Sequence, residues 1–317
     1  MPCVIFCALR PTGCFAMSCA FIRELTCRRN AQIELLRRFT MLEKRSSFPC
    51  GWTAGISLGL RSGRVGSSCY NAYMSTDRLA SLIGKRVSVL DKGWVELQDM
   101  MGDDLAIVNA ARVSHLGESR GEEKDKKLLF YLMRNRHTSP FEQVEFKFRV
   151  RAPLITWWQW VRHRTWSFNA QSGRYVAFQE DDFYVPNGWR AQSASNKQAS
   201  AGELPPDAQG GLTQALLEHY ARSYRLYQEA LSQGVAREQA RLFLPGFAVY
   251  YTWVAKVDAH NLMHFLRLRM AEDAQYEIRA YAFAIYEHFF KPALPWTAEA
   301  FEQFILGESA QAVGLSH

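Results

Sequence analysis

From residue 85 onward the spacing of apolar side chains changes several times, and each change predicts an element. Arg86 to Leu90 alternates and is β-branched as far as the turn Asp91-Lys92-Gly93, which predicts a strand opening a hairpin with Trp94 to Gln98. Residues 103–113 and 123–136 carry apolar positions at three- and four-residue spacing, the pattern of two amphipathic helices. Val144, Phe146, Phe148 and Val150 alternate with Gln143, Glu145, Lys147 and Arg149. That predicts a half-buried strand whose other face is wet or lines a site. Pro153 suits a first helical position, and Leu154 to Arg164 continues as a helix with its cations at the C-terminal end. Tyr175 to Val185 reads as a further strand, interrupted by Glu180-Asp181-Asp182.

Residues 187–211 are rich in Ser, Gln, Ala, Gly and Pro and read as a mobile surface loop. Beyond them the pattern is helical over 212–233, 235–243, 247–257, 259–270, 272–290 and a short stretch from 297, with Pro245-Gly246, Pro292 and Pro295 as breaks. Strands early and helices late predict an α+β fold: an antiparallel or mixed sheet with a helical C-terminal half. There is no internal repeat. No apolar run reaches the roughly eighteen residues of a membrane-spanning helix, so no membrane partner is expected.

The formal charge of +7 would prompt a nucleic-acid reading, but its placement changes that. Residues 1–73 hold ten Lys/Arg and three Asp/Glu, so the rest of the chain is formally neutral and nucleic acid is not expected as a partner. All seven cysteines also precede Met74, and all eight histidines follow it. Two compositions therefore meet near residue 74: an extension over 1–73 and a well-formed domain over 74–317.

Three readings compete for the extension. Arg-rich, acid-poor composition is the usual sign of an organelle transit peptide. A disulfide or metal module is weakened by the absence of any CxxC pair. The favoured reading is that translation starts at Met74, because MSTDRLASLIGKRVSVLDKG makes a natural polar beginning before a first strand. If the extension is nonetheless translated, it is expected to be disordered.

The chemistry begins with absences. There is no GxGxxG after a strand, no Walker loop, no HExxH, and after Met74 no cysteine to serve as a nucleophile. What remains is a dispersed set of arginines: Arg162, Arg164, Arg174, Arg241 and Arg269. Any one of them alone is best read as solvated. Arg162-His163-Arg164, however, follows Trp157, Trp158 and Trp160, so these cations border an aromatic surface where a planar guanidinium fork suits phosphate or carboxylate. Ser167, Ser172 and Gly173 add hydroxyl and backbone donors before Arg174. The result is an anion site with no reaction attached.

The segment Arg162–Arg174, RHRTWSFNAQSGR, matches RHRxxSxxxxSxR at six fixed positions: Arg162, His163, Arg164, Ser167, Ser172 and Arg174. In this it resembles the flavin-dependent thymidylate synthases. The likeness runs through nearly all of residues 85–306: Asp91-Lys92-Gly93, His137 to Glu142, Ala152-Pro153, Gln159-Trp160, ARLFLP ending at Pro245, Asn261 to Arg269, and Ala274 to Glu277. The resemblance implies that family's fold, reductive methylation of dUMP to dTMP, FAD as hydride carrier, NADPH as its reductant and methylenetetrahydrofolate as carbon donor. It implies FAD contacts from Ser139, Arg162, His163, Arg164, Asp258, His260 and His264. The implied dUMP contacts are Gln159, Trp160, Arg162, Ala170, Gln171, Ser172, Gly173, Arg174, Arg241 and Arg269. A homotetramer with shared sites and a cytoplasmic location are also implied, and no metal.

Within that scheme Arg269 would stabilise negative charge developing on the uracil ring, as an oxyanion hole does. Arg174 and Arg241 would grip phosphate or orient the base. Ser172 reads as a ligand hydrogen-bonder, since no local His or Lys is placed to activate it. His137 reads either as a flavin or folate contact or as a histidine satisfied at a turn before Pro140. Many members of the family carry an acidic residue where this chain has Ala170, so contact there would fall to the backbone. Two further readings stay open at this point. His260 and His264, four apart on a helix with Asp258 or Asp273 nearby, suit a metal-dependent hydrolase; the tryptophans and arginines suit nucleic-acid stacking.

Overall fold

Alternation from Val144 to Val150 places its strand at the centre of a five-stranded sheet, seen in a computed structural model that describes residues 78–115, 119–194, 196–197 and 199–307. All of these belong to the unit Arg64–His317; the readings of residues 1–73 lie outside the described residues. The strands are β1 (Arg86–Val89), β2 (Gly93–Met101), β3 (Glu145–Pro153), β4 (Ser167–Ala170) and a later strand, Tyr250–Asp258. In spatial order they run β1, β2, β3, Tyr250–Asp258, β4, and every pairing is antiparallel.

The inward face explains the register. Val95 and Leu97 of β2, and Phe146, Phe148, Val150 and Ala152 of β3, are fully buried. Small faces large across the next pair: Phe148 opposes Ala255, and Val150 opposes Trp253. Outward positions stay polar, with Lys256 meeting Glu145 at 2.7 Å. The predicted helices α1 (Asp104–Arg112) and α2 (Glu122–Arg134) are present. Asp103 caps α1 by accepting from the Ala106 N–H.

The sequence expectations fail in four places. Helix α3 (Leu154–Trp160) stops at Trp160 rather than Arg164, and Pro153 is its N-cap rather than its first residue. The His163 N–H donates to the Trp160 carbonyl, turning the chain so that β4 can reach the sheet. Residues 175–185 form turns, not a strand. The Asp182 carboxylate accepts from the Gln179 N–H and pairs with Arg151, leaving one bridge, Phe183 to Val249. The region 187–211 is not a loop: it contains the hairpin β5 (Arg190–Gln192) and β6 (Ser200–Glu203), and then the start of α4 (Pro206–Ser232).

The largest departure is β7 (Tyr250–Asp258), predicted as helix over 247–257. The stretch is apolar without a clear period, but its content of Tyr, Thr, Trp and Val favours a strand. Pairing with β3 on one side and β4 on the other decides it.

The short α5 (Arg237–Ala240) precedes β7; α6 (Ala259–Arg269) and α7 (Tyr276–Ile285) follow it and cover the inner face with Phe265, Leu262, Ile278, Tyr281 and Ile285. A second apolar cluster, including Phe178, Phe183, Tyr220 and Tyr227, packs beneath α4.

Helix α8 (Pro295–Phe301) is fastened by Asp104, nearly two hundred residues earlier in the chain. The buried carboxylate accepts from the Trp296 and Thr297 N–H groups and the Thr297 hydroxyl at 2.9, 3.1 and 2.6 Å. Burial pushes its pKa up to about 6 against those donors. Asp104→Ala strands all three, so a loss of about 3 kcal/mol is expected, read as a lower urea midpoint at unchanged slope.

Candidate active site

The turn after α3 and the end of α6 meet at one point. Arg269, in the last turn of α6, donates from Nε to His163 Nε2 at 3.0 Å. Its Nη1 reaches Gln159 Oε1 at 3.3 Å and its Nη2 reaches the Gln159 carbonyl at 3.2 Å. Guanidinium has five N–H groups, so one on each terminal nitrogen stays available, which suits a planar acceptor edge. Burial, and then the Arg162 charge, lower the pKa of Arg269.

His163 is buried beside Phe265, with ring centres 5.0 Å apart, and Phe265 stacks on Trp160. Burial first, then Arg269 and His264, push His163 down to about 4. It is therefore neutral near physiological pH. Burial, aided by Arg267, His260 and Arg269, also lowers His264.

A cavity of about 100 Å³ opens beside this cluster. His137, Thr138, His260, His264, Arg136 and Arg267 supply its polar lining, against Leu132, Met133, Phe141, Met263 and Ile305. Cationic and imidazole donors around an apolar floor suit part of an anionic, ring-bearing cofactor such as FAD, whose remainder would extend outside so small a cavity. Ser139, two residues past His137, is exposed beside it. His137 also stacks on Tyr131, with centres 5.9 Å apart. Thr138, Arg136 and Arg267 were not singled out by sequence; Arg267, four residues after the second-turn Met263 on α6, shares the helical face of His260 and His264.

A second cluster forms at the far end of the motif. Arg174 pairs with Glu238 at 3.3 Å, and the Arg241 Nε donates to the Glu238 carbonyl at 3.2 Å. Glu238 was missed by sequence reading, though its position three residues before Arg241 on a helical turn is the signal. No hydrogen bond or ion pair among the described residues joins this cluster to Arg269, Gln159 or His163.

Several motif residues are spent on local structure. Trp160 is completely buried, stacked on Phe265. Gln171 donates its N–H to the Thr252 carbonyl and accepts from the Thr252 N–H through Oε1, extending the β4 ladder. Ser172 Oγ accepts from the Arg174 N–H at 3.3 Å. Gly173 lies under Phe178, which would meet an added Cβ at 2.7 Å. Ala170 is exposed on the edge strand β4. Asp258 caps α6, its two oxygens taken by the backbone and side-chain N–H groups of Asn261. Arg162 and Arg164 are exposed. For the metal reading, no group of three His, Cys, Asp or Glu among the described residues is placed to hold an ion.

The family model described as thymidylate synthase complementing protein matches residues 96–296. A flavin-dependent thymidylate synthase of Thermus thermophilus is 48% identical over 220 residues, covering 69% of this chain and 79% of that protein. Another, from Thermosipho africanus, is 43% identical over 216 residues, covering 68% and 93%. Among solved structures, the UMP/dUMP methylase PolB from Streptomyces cacaoi bound with 5-Br dUMP superposes with a TM-score of 0.62 at 35% identity, covering 69% of this chain and 98% of that one. With the motif turn, the Arg269 cluster and this extent of likeness together, the chain belongs to the flavin-dependent thymidylate synthase family.

Proposed function

We propose that this chain methylates dUMP reductively to dTMP in de novo synthesis, taking its carbon from methylenetetrahydrofolate, with FAD as hydride carrier and NADPH as reductant. Family membership supports the reaction. The Arg269 guanidinium, clamped by His163 and Gln159 with two N–H groups left over, carries the assignment of roles. FAD, when bound, supplies the hydride that activates the uracil ring, which is why a domain without cysteine after Met74 suffices.

Arg269 stabilises negative charge on that ring in a partly buried setting where a fixed donor is worth more than in water. Gln159, Arg162 and the backbone of Ala170 to Gly173 orient the base. Trp160 contributes only through its backbone. Arg174 and Arg241 take the phosphate, exchanging Glu238 for the stronger anion. Ser139, Arg162, His163, Arg164, His260 and His264 hold FAD around the cavity, with His137 on flavin or folate and Asp258 acting by fixing α6.

The site is shared between copies in a homotetramer. The arginine clusters stay apart within one chain, and apolar Tyr175, Val176, Leu242, Phe243 and Phe247 are exposed around Arg174 and Arg241. Surface of that kind beside a half-site marks an interface. A cytoplasmic location follows from nucleotide and folate substrates that are intracellular metabolites. Separately, no helix among the described residues is long and apolar enough to cross a membrane.

The test is tritium release from dUMP labelled at C5, on protein beginning at Met74. Release that requires FAD, NADPH and methylenetetrahydrofolate together is expected. No release under those conditions would sink the reading, and tritiated UMP in parallel would reveal whether the base is taken on a ribose as well.

A further inference from the structure

We propose that His163 is a positioning residue: as a neutral hydrogen-bond acceptor, it sets the orientation of the Arg269 guanidinium. The inference rests on the reading of Arg269 as the catalytic arginine. Guanidinium has no acceptor, so the 3.0 Å contact between Arg269 Nε and His163 Nε2 requires a bare lone pair on Nε2 and the proton on Nδ1. An imidazolium could not make this bond.

The surroundings hold His163 in that form. Arg269 faces it from α6, as does His264 with ring centres 5.9 Å apart, while Arg162 adjoins it in the turn and also acts on Arg269. Phe265 covers it, with Trp160 stacked on Phe265 and Trp166 tilted against it. Among the described residues, the groups acting on it are Arg269 and His264, and neither is a carboxylate. A carboxylate in its place would pin Arg269 more tightly, but it would also neutralise the charge that the substrate needs. Neutral imidazole orients the cation and leaves its field free, which is the arrangement a preorganised electrostatic site requires. Gln159 completes the clamp with two further neutral acceptors.

The experiment compares His163→Leu, His163→Gln and Arg269→Lys at saturating FAD, so that weaker flavin binding does not enter kcat. Leu removes the acceptor, and kcat is expected to fall about 10²-fold, the scale of a misplaced catalytic group. Gln offers an amide oxygen near the Nε2 position and should recover most of that loss. In the ¹⁵N-histidine spectrum at neutral pH, one ring should carry its proton on Nδ1, and its signal should vanish in His163→Gln.

Wild-type kcat in the Leu variant would overturn the inference. So would a Gln variant no better than Leu, a loss confined to FAD binding, or a His163 ring found protonated on Nε2. Should the Leu variant fail to fold, the Gln variant and the spectrum decide. A fully active Arg269→Lys would remove Arg269 from the mechanism itself. An inactive Arg269→Lys beside an unimpaired His163→Leu would remove only the role given to His163.

Discussion

Arg269→Ala is expected to lower kcat for dTMP formation by roughly 10³-fold while the purified protein remains yellow with bound flavin. The size follows from where the side chain sits. Arg269 is half-buried, its charge is partly desolvated, and three neutral acceptors hold it without cancelling it. Alanine removes a donor that is already aimed, so the loss should appear in kcat more than in KM for dUMP. Flavin should persist because the cavity lined by His137, His260, His264 and Arg267 does not include Arg269. Steady-state kinetics with a flavin spectrum checks both halves. Equal losses in flavin content and turnover would reassign Arg269 to cofactor binding.

Gly93→Ala should destabilise the fold by about 3 kcal/mol or more, lowering Tm by roughly 10 °C for a domain of this size. A Cβ on Gly93 would lie 1.8 Å from the Tyr281 hydroxyl and 2.8 Å from the carbonyl oxygens of Arg151 and Val89. Tyr281 is fully buried and donates to that same Arg151 carbonyl at 2.6 Å, so it has no free direction in which to move. Adding Tyr281→Phe should return only part of the stability, because the two backbone oxygens remain. A thermal melt of the single and double variants measures this. A single variant within a degree or two of wild type would show that β2 can shift away from α7.

That glycine also gives the Asp91-Lys92-Gly93 motif a physical meaning. Asp91 accepts from the Tyr250 hydroxyl at 2.5 Å and from the Val185 N–H at 3.1 Å. Lys92 donates to the carbonyls of Asp181 and Phe183, both at 2.9 Å. The β1–β2 turn therefore fastens β7 and the irregular 175–185 segment to the sheet. In the sequence the motif was legible only as a family landmark and a turn, because all its partners lie far along the chain.

The same distinction separates what was legible elsewhere. Period-two alternation identified β3, and three- and four-residue spacing identified α1 and α2, because each element buries one face against a common core. The α+β class followed from the same patterns, even though β7 was read as a helix. Its local sequence tolerates either form, and only flanking strands with open hydrogen-bonding edges make the extended form the stable one. The end of α3 at Trp160 is of the same kind: nothing within Leu154–Arg164 stops a helix, but β4 must reach β7.

By itself the sequence determined the family, through six motif positions in one short segment, and with the family the reaction; it also supplied the arginines proposed to serve that reaction. It also showed that no cysteine lies after Met74. The tertiary structure alone decided which of those arginines meet. Arg269 joins His163 and Gln159 across more than a hundred residues, whereas Arg174 and Arg241 gather around Glu238. It also buries Trp160, ties Gln171 to the Thr252 backbone and, through burial and then Arg269 and His264, pushes the His163 pKa down. The reason is common to all of these. Residue identity sets what a side chain can donate, accept or ionise, but burial and a partner brought by distant chain set which of those it does.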